Sequence, residues 1–167
     1  VSKGRIKINE KDIRDYDVLQ LRDKLGVIPQ KAVLFSGSIA DNIRFGKKDA
    51  TDEEVIHAAK VAQAYSFIMD KENGFNELIS EGATNVSGGQ KQRLSIARAL
   101  VRKAQIYIFD DSFSALDFKT DAVLRKELKK EMSESIMLVV AQRISSIMDA
   151  DQIIVLNEGK VVGQGTH

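Results

Sequence analysis

The chain has 167 residues, with 25 Lys and Arg against 24 Asp and Glu, and no cysteine. The near-neutral balance gives no pull toward nucleic acid or an anionic membrane surface, and the missing cysteine excludes disulfides, thiol nucleophiles and cysteine-ligated zinc. With 43% hydrophobic and 29% charged residues, the composition is that of a globular, soluble, intracellular chain able to bury a core.

Arg5-Ile6-Lys7-Ile8 alternates polar and apolar residues, as a half-buried strand does. A turn-rich stretch, Asn9 to Asp15, leads to a short helix at Val18 to Asp23. Leu25 to Ile28 reads as a buried strand ending at Pro29, the only proline. Residues 30–48 are expected to be loop, with one helical turn around Ile39 to Ile43. Thr51 and Glu54 have the spacing of a capping box and predict a helix from there to about Met69. After the loop Ser80 to Gly89, a helix is expected from Gly88 to about Val101, then a strand at Gln105 to Phe109. A helix at Thr120 to Met132 places Leu124, Leu128 and Met132 on one stripe, and its charge run Arg125 to Glu131 fits a solvated face. Ile136 to Ala141 is the longest wholly apolar run. It is far shorter than the roughly 20 residues of a membrane-crossing helix and reads as another buried strand. Asp151 to Leu156 and Lys160 to Gly163 flank Asn157-Glu158-Gly159 as a hairpin. Apolar strands separated by helices predict an α/β fold with a mostly parallel sheet. The helical stretch 31–104 reads as an inserted subdomain between core segments 1–30 and 105–167. Nothing at Val1-Ser2-Lys3-Gly4 resembles a secretory leader, and both ends suggest a piece of a longer protein.

Two places concentrate chemistry. Ser87-Gly88-Gly89-Gln90 opens a helix, where a serine cap, bare backbone N–H groups and the helix dipole suit a phosphate. By themselves these residues fit a glycine-rich turn equally well. Ile106 to Phe109 delivers Asp110 and Asp111 at a strand's C-terminal end, where open α/β sheets bind ligands and where a carboxylate suits Mg²⁺. An acidic turn is the plainer alternative. Asp117, after Ser114-Ala115-Leu116, has the place of a helix cap.

The longer string Asn85 to Leu100 resembles the signature helix of ATP-binding cassette proteins, with Val86 where the family usually has Leu. Ile106 to Asp111 and Ser114 to Asp117 resemble its Walker B motif and D-loop. Val27-Ile28-Pro29-Gln30 with Leu34 to Ile43 resembles the Q-loop region of exporter-type cassettes. Gly159 to His167 resembles the late hairpin. These matches run in the family's order along the whole chain, so it is identified as a member of that family: a partial P-loop ATPase (RecA-like) core with an inserted helical subdomain. The resemblance implies ATP and Mg²⁺ as cofactors. It assigns Asp110 and Gln30 to the metal, Gln30, Ser87, Gly88, Gly89, Gln90 and Asp117 to nucleotide, and positions 111 and 142 to catalysis. It also implies a second nucleotide-binding domain, membrane domains met through the Q-loop region, and a seat on the cytoplasmic side of the cell membrane. No nucleic-acid partner is expected. The alternatives are a regulatory half that binds ATP without hydrolysing it, and a soluble cassette ATPase unconnected to transport.

Three departures qualify this. No Gly-x-x-x-x-Gly-Lys-Ser/Thr occurs in the 167 residues, so the phosphate-cradling loop is missing. The family's strand, P-loop and helix are expected before Val1, leaving a gap in the sheet beside the Walker B strand. Asp111 stands where an active relative has Glu. Gln142 stands where the family has a histidine, and a neutral amide neither carries charge nor shuttles a proton. Paired losses of this kind imply the degenerate half of a heterodimeric exporter. His57 and His167 are no replacement by position.

Overall fold

The computed structural model describes residues 3–167; Val1 and Ser2, at the start of the expected core segment, lie outside the described residues. Strands β1 (Lys7–Ile8) and β2 (Lys11–Asp12) form a small antiparallel hairpin. The expected half-buried strand from Arg5 is thus cut to two residues. Asn9 and Glu10 both take positive φ, the geometry of a two-residue hairpin turn, and Glu10 is not a residue that announces one. Helix α1 (Val18–Asp23) follows, capped by the Asp17 carboxylate, then β3 (Leu25–Ile28).

Between β3 and the next long strand, the chain forms β4 (Gly37–Ser38), α2 (Ile39–Arg44), α3 (Asp52–Val61), α4 (Tyr65–Met69), β5 (Leu78–Ile79) and α5 (Gly88–Leu100). The capping box at Thr51 and Glu54 is present, but the helix does not reach Met69 unbroken. It ends at Val61. Gln63 takes a left-handed φ of 56°, its N–H donates to the Lys60 carbonyl, and the Ala64 N–H donates to the Ala59 carbonyl. That pair of bonds is a Schellman stop, with glutamine in the seat glycine usually fills.

The remainder is β6 (Ile106–Asp110), α6 (Phe118–Glu131), β7 (Ile136–Val140), β8 (Ile153–Asn157) and β9 (Lys160–Gly165). Helix α6 starts two residues earlier than expected because Asp117 caps it through the Thr120 N–H. Strands β8 and β9 pair through Glu158-Gly159, both at positive φ.

The central sheet is parallel, in the order β3-β6-β7, with Leu25, Ile106 and Ile136 aligned across it. One face carries Ile28, Tyr107 and Phe109, all buried with the helices in a single cluster that also holds Leu94, Ile96, Leu124 and Leu128. Gly26 is required there, since a Cβ would lie 2.6 Å from the Tyr107 ring. The other face is bare: Val27 and Leu138 are each more than half exposed. Here the sequence expectation is corrected twice. Strand β7 is apolar yet mostly exposed, and among the described residues it is one of the sheet's two edges. The strand bearing Asp110 is flanked on both sides, so the open positions lie at the sheet's edges, beside β3 and β7, and not beside it.

Candidate functional site

Because β3, β6 and β7 run parallel and in register, their C-terminal ends converge. Gln30 follows the first, Asp111 the second and Gln142 the third. Their side chains meet: the Oδ2 of Asp111 accepts from the Gln30 Nε2 at 3.2 Å and from the Gln142 Nε2 at 3.3 Å. The backbone fixes this junction from each strand. The Asp111 N–H donates to the Val140 carbonyl at 2.9 Å, and the buried Ser112 hydroxyl donates to the Ile28 carbonyl at 2.8 Å. Asp111 itself sits at φ 46°, a left-handed position that short polar Asp and Asn tolerate best.

Asp110, the preceding residue, is exposed, and its carboxylate makes no hydrogen bond among the described residues. It is an unencumbered oxygen donor. Together with the Gln30 amide oxygen it fits a hard cation that keeps several waters and is completed by phosphates. Among the described residues, no three acidic or histidine side chains gather into a metal cage.

Ser87, Gly88, Gly89 and Gln90 form the N-terminus of α5. The Ser87 hydroxyl accepts from the Gln90 N–H at 3.3 Å, and the Gln90 side chain accepts from the Ser87 N–H at 3.0 Å, a complete capping box. The two glycines differ in purpose. A Cβ on Gly88 would meet nothing within 4 Å, so there is open space on its side-chain side. A Cβ on Gly89 would lie 3.3 Å from the Ala115 carbonyl oxygen, so this glycine lets the helix end press on the segment 114–117. No hydrogen bond joins this helix end to Asp110, Asp111 or Gln142 among the described residues. Asp117 is engaged as a cap, and the Thr120 hydroxyl and N–H hold its carboxyl below the usual carboxylate range.

Two arginines that composition and motif spacing did not single out organise the surroundings. Arg143 donates to the Ser114 carbonyl at 3.0 Å and the Leu116 carbonyl at 3.4 Å and lies over the Phe118 ring. It thereby ties the residue after Gln142 to the start of α6. Arg98, on α5, donates to the Asn42 carbonyl and side chain and to the Val33 carbonyl, and packs on the rings of Phe35 and Phe45. Burial pulls its guanidinium below the ordinary value. It binds α5 to the stretch 33–45, where Phe35 and Phe45 themselves stay exposed, their ring centres 4.5 Å apart. A signal for both was available in hindsight: each is an arginine beside a motif, with aromatics in reach. His57 contacts Glu131 at 2.9 Å, away from the strand ends.

A parallel sheet with acidic and amide side chains at its C-terminal edge, and a capped glycine helix alongside, defines the phosphate-handling α/β ATPase class. The comparisons with known proteins agree. Residues 1–114 match the family model described as ABC transporter. An uncharacterized ABC transporter ATP-binding protein of Mycobacterium tuberculosis is 42% identical over all of this chain and 29% of its own length. An ATP-dependent lipid A-core flippase of Desulfotalea psychrophila is 41% identical, again over all of this chain and 29% of that protein. The structure of a bacterial Atm1-family ABC exporter with ATP bound superposes with a TM-score of 0.94 at 38% identity, covering 99% of this chain and 29% of that one. The chain belongs to the ABC transporter family and is nucleotide-binding domain sequence of the exporter type. It spans just under a third of the length of these relatives.

Proposed function

We propose that this chain is the larger part of the nucleotide-binding domain of an ABC exporter subunit whose own ATP site hydrolyses slowly and whose signature helix completes the site of a different partner subunit. The observation that carries this reading is the meeting of Asp111 with Gln142 at the ends of adjacent strands. Asp111 is one methylene shorter than glutamate. A misplacement of about 1 Å can cost roughly 100-fold, and positioned general-base help is worth about 10²–10⁴-fold. Gln142 offers the γ-phosphate a neutral amide in place of a histidine.

On this reading ATP and Mg²⁺ are the cofactors. Asp110 and the Gln30 oxygen hold the metal, with Asp117 reaching toward nucleotide across the dimer. The first-turn backbone N–H groups and the dipole of α5 serve the partner's ATP. Residues 1–30 and 105–167 form the ATPase core and 31–104 the helical subdomain. The bare sheet face and the open edge of β7 are where the P-loop strand and helix of the complete domain pack. The exposed Phe35 and Phe45, held by Arg98, receive the membrane domains, which seat the subunit on the cytoplasmic side of the membrane. The relative named as an ATP-dependent lipid A-core flippase supports an amphipathic cargo.

Gly88→Asp tests the partner role. An aspartate fits the open space there and favours a helix N-terminus, so folding is preserved, but its charge opposes a phosphate. ATP turnover by the assembled transporter should fall on the order of 100-fold, as for loss of a preorganised oxyanion donor. Undiminished turnover would remove the signature helix from the partner's site.

A further inference from the structure

Gln92, in the second turn of α5, is only 2% exposed, and its Nε2 donates to the Pro29 carbonyl at 3.2 Å. A buried amide costs free energy unless it is hydrogen-bonded, and this one spends its N–H on the peptide group immediately before Gln30. We propose that Gln92 is a positioning residue for Gln30. From the helix whose N-terminus serves the partner subunit's ATP, it sets the place of the amide that holds the metal at this chain's own site. The inference rests on the reading of Gln30 as a metal residue given above and deepens it.

The local geometry leaves Gln30 little freedom where the chain departs from β3. A peptide group is planar, so a hydrogen bond to the carbonyl of one residue also orients the nitrogen and Cα of the next. The buried Ser112 hydroxyl donates to the Ile28 carbonyl at 2.8 Å and holds the plane between Ile28 and Pro29. The proline ring sets the φ that follows, at about −65°. Gln92 then holds the plane between Pro29 and Gln30. These restraints act in succession on the Gln30 Cα, and the last of them comes from α5. Among the described residues, the next hydrogen-bonded backbone group along the chain is the Val33 carbonyl, and its donor, Arg98, stands on the same helix. Helix α5 therefore holds both ends of the stretch 30–32. Within it, the Gln30 Nε2 donates to Asp111, while the Oε1 accepts no hydrogen bond among the described residues. The oxygen suited to a hard cation is thus the free one.

The test is the binding of Mn²⁺, together with a non-hydrolysable ATP analogue, to the assembled transporter with the partner subunit's site disabled. Electron paramagnetic resonance of the free ion reads the affinity. In that background nothing that Gln92 does for the partner's ATP contributes. Gln92→Met keeps the length and loses the donor, so Mn²⁺ should bind about threefold to tenfold more weakly, the equilibrium equivalent of one net hydrogen bond. Gln92→Leu, a second variant without a donor, should give the same shift, and unchanged affinity in either one overturns the proposal. A double-mutant cycle separates positioning from a general loosening of α5. After Gln30→Ala, Gln92→Met should weaken Mn²⁺ binding by less than about twofold, whereas a full additive loss shows that Gln92 does not act through Gln30. If Gln30→Ala by itself leaves Mn²⁺ binding intact, the reading of Gln30 as a metal residue fails, and the positioning role with it. If Gln30→Ala weakens binding and Gln92→Met does not, that reading stands and the positioning role alone falls.

Discussion

Replacing Gly46 by alanine should disrupt the packing of α2 on α5 more than any change at the glycines of the signature. A Cβ on Gly46 would lie 1.9 Å from the Arg98 carbonyl oxygen and 3.0 Å from a Val101 methyl. Real Cβ atoms essentially never come closer than 3.0 Å, so the two segments must part by more than 1 Å. The clash is with backbone, which no rotamer change relieves. Overpacking of this kind costs about 1–3 kcal/mol. The same separation strains the Arg98 bonds to Asn42 and Val33, each worth about 1.5–3 kcal/mol when the donor is charged. Losing one of them brings the total to roughly 2.5–6 kcal/mol, a large share of the 5–15 kcal/mol that holds a typical domain folded. Urea denaturation followed by far-ultraviolet circular dichroism measures it directly. Gly88→Ala is the control, because its Cβ meets open space, and it should stay within about 1 kcal/mol of the parent. Equal tolerance at both positions would refute the packing argument.

Two further outcomes follow from charged side chains and their partners. Glu54 accepts from Lys47 and Lys103, and these hydrogen bonds, with the Thr51 N–H, bring its carboxyl down to about 2. Because its folded value lies below its unfolded one, its stabilisation is complete above about pH 5 and lost as pH falls toward 2; Glu54→Gln should flatten that part of the stability–pH curve, and an unchanged acid limb would contradict it. Arg98→Lys keeps the charge but loses the planar fork and the stacking surface, so amide hydrogen exchange across 33–45 should quicken by at least about tenfold, and unchanged protection would show that Arg98 does not hold that stretch.

What was legible in the sequence was whatever rested on local chemistry. Thr51-Asp52-Glu53-Glu54 is a capping box by spacing alone and Ser87 a helix cap, and both formed, the Ser87 cap extended by Gln90 into a full box. Strands β3 and β6 were marked by short apolar runs bounded by Pro29 and the paired aspartates. A turn from Asn9 onward was legible, but the left-handed seats at Glu10 and Gln63 were not, because their positive φ values are imposed on residues that carry no turn signal. Strand β7 shows a different limit. Its apolar run fixes strand character but not burial, since burial depends on what lies beside it, and sheet order is a long-range property. The candidate site divides in the same way. The motifs located Gln30, Asp111 and Gln142 separately. Their convergence on one carboxylate oxygen follows only from the parallel register of three strands. Arg143 and Arg98 escaped notice for the same reason, since their acceptors are backbone carbonyls far away in sequence.

The most direct measurement of the central claim is ATP turnover by the assembled transporter with the partner subunit's site disabled, before and after restoring glutamate at 111 and histidine at 142. The account predicts a slow parent rate that rises at least about 100-fold in Asp111→Glu/Gln142→His, the range of positioned acid–base help. A parent rate already matching the restored variant would contradict it, and the site would then be a working hydrolase in its own right.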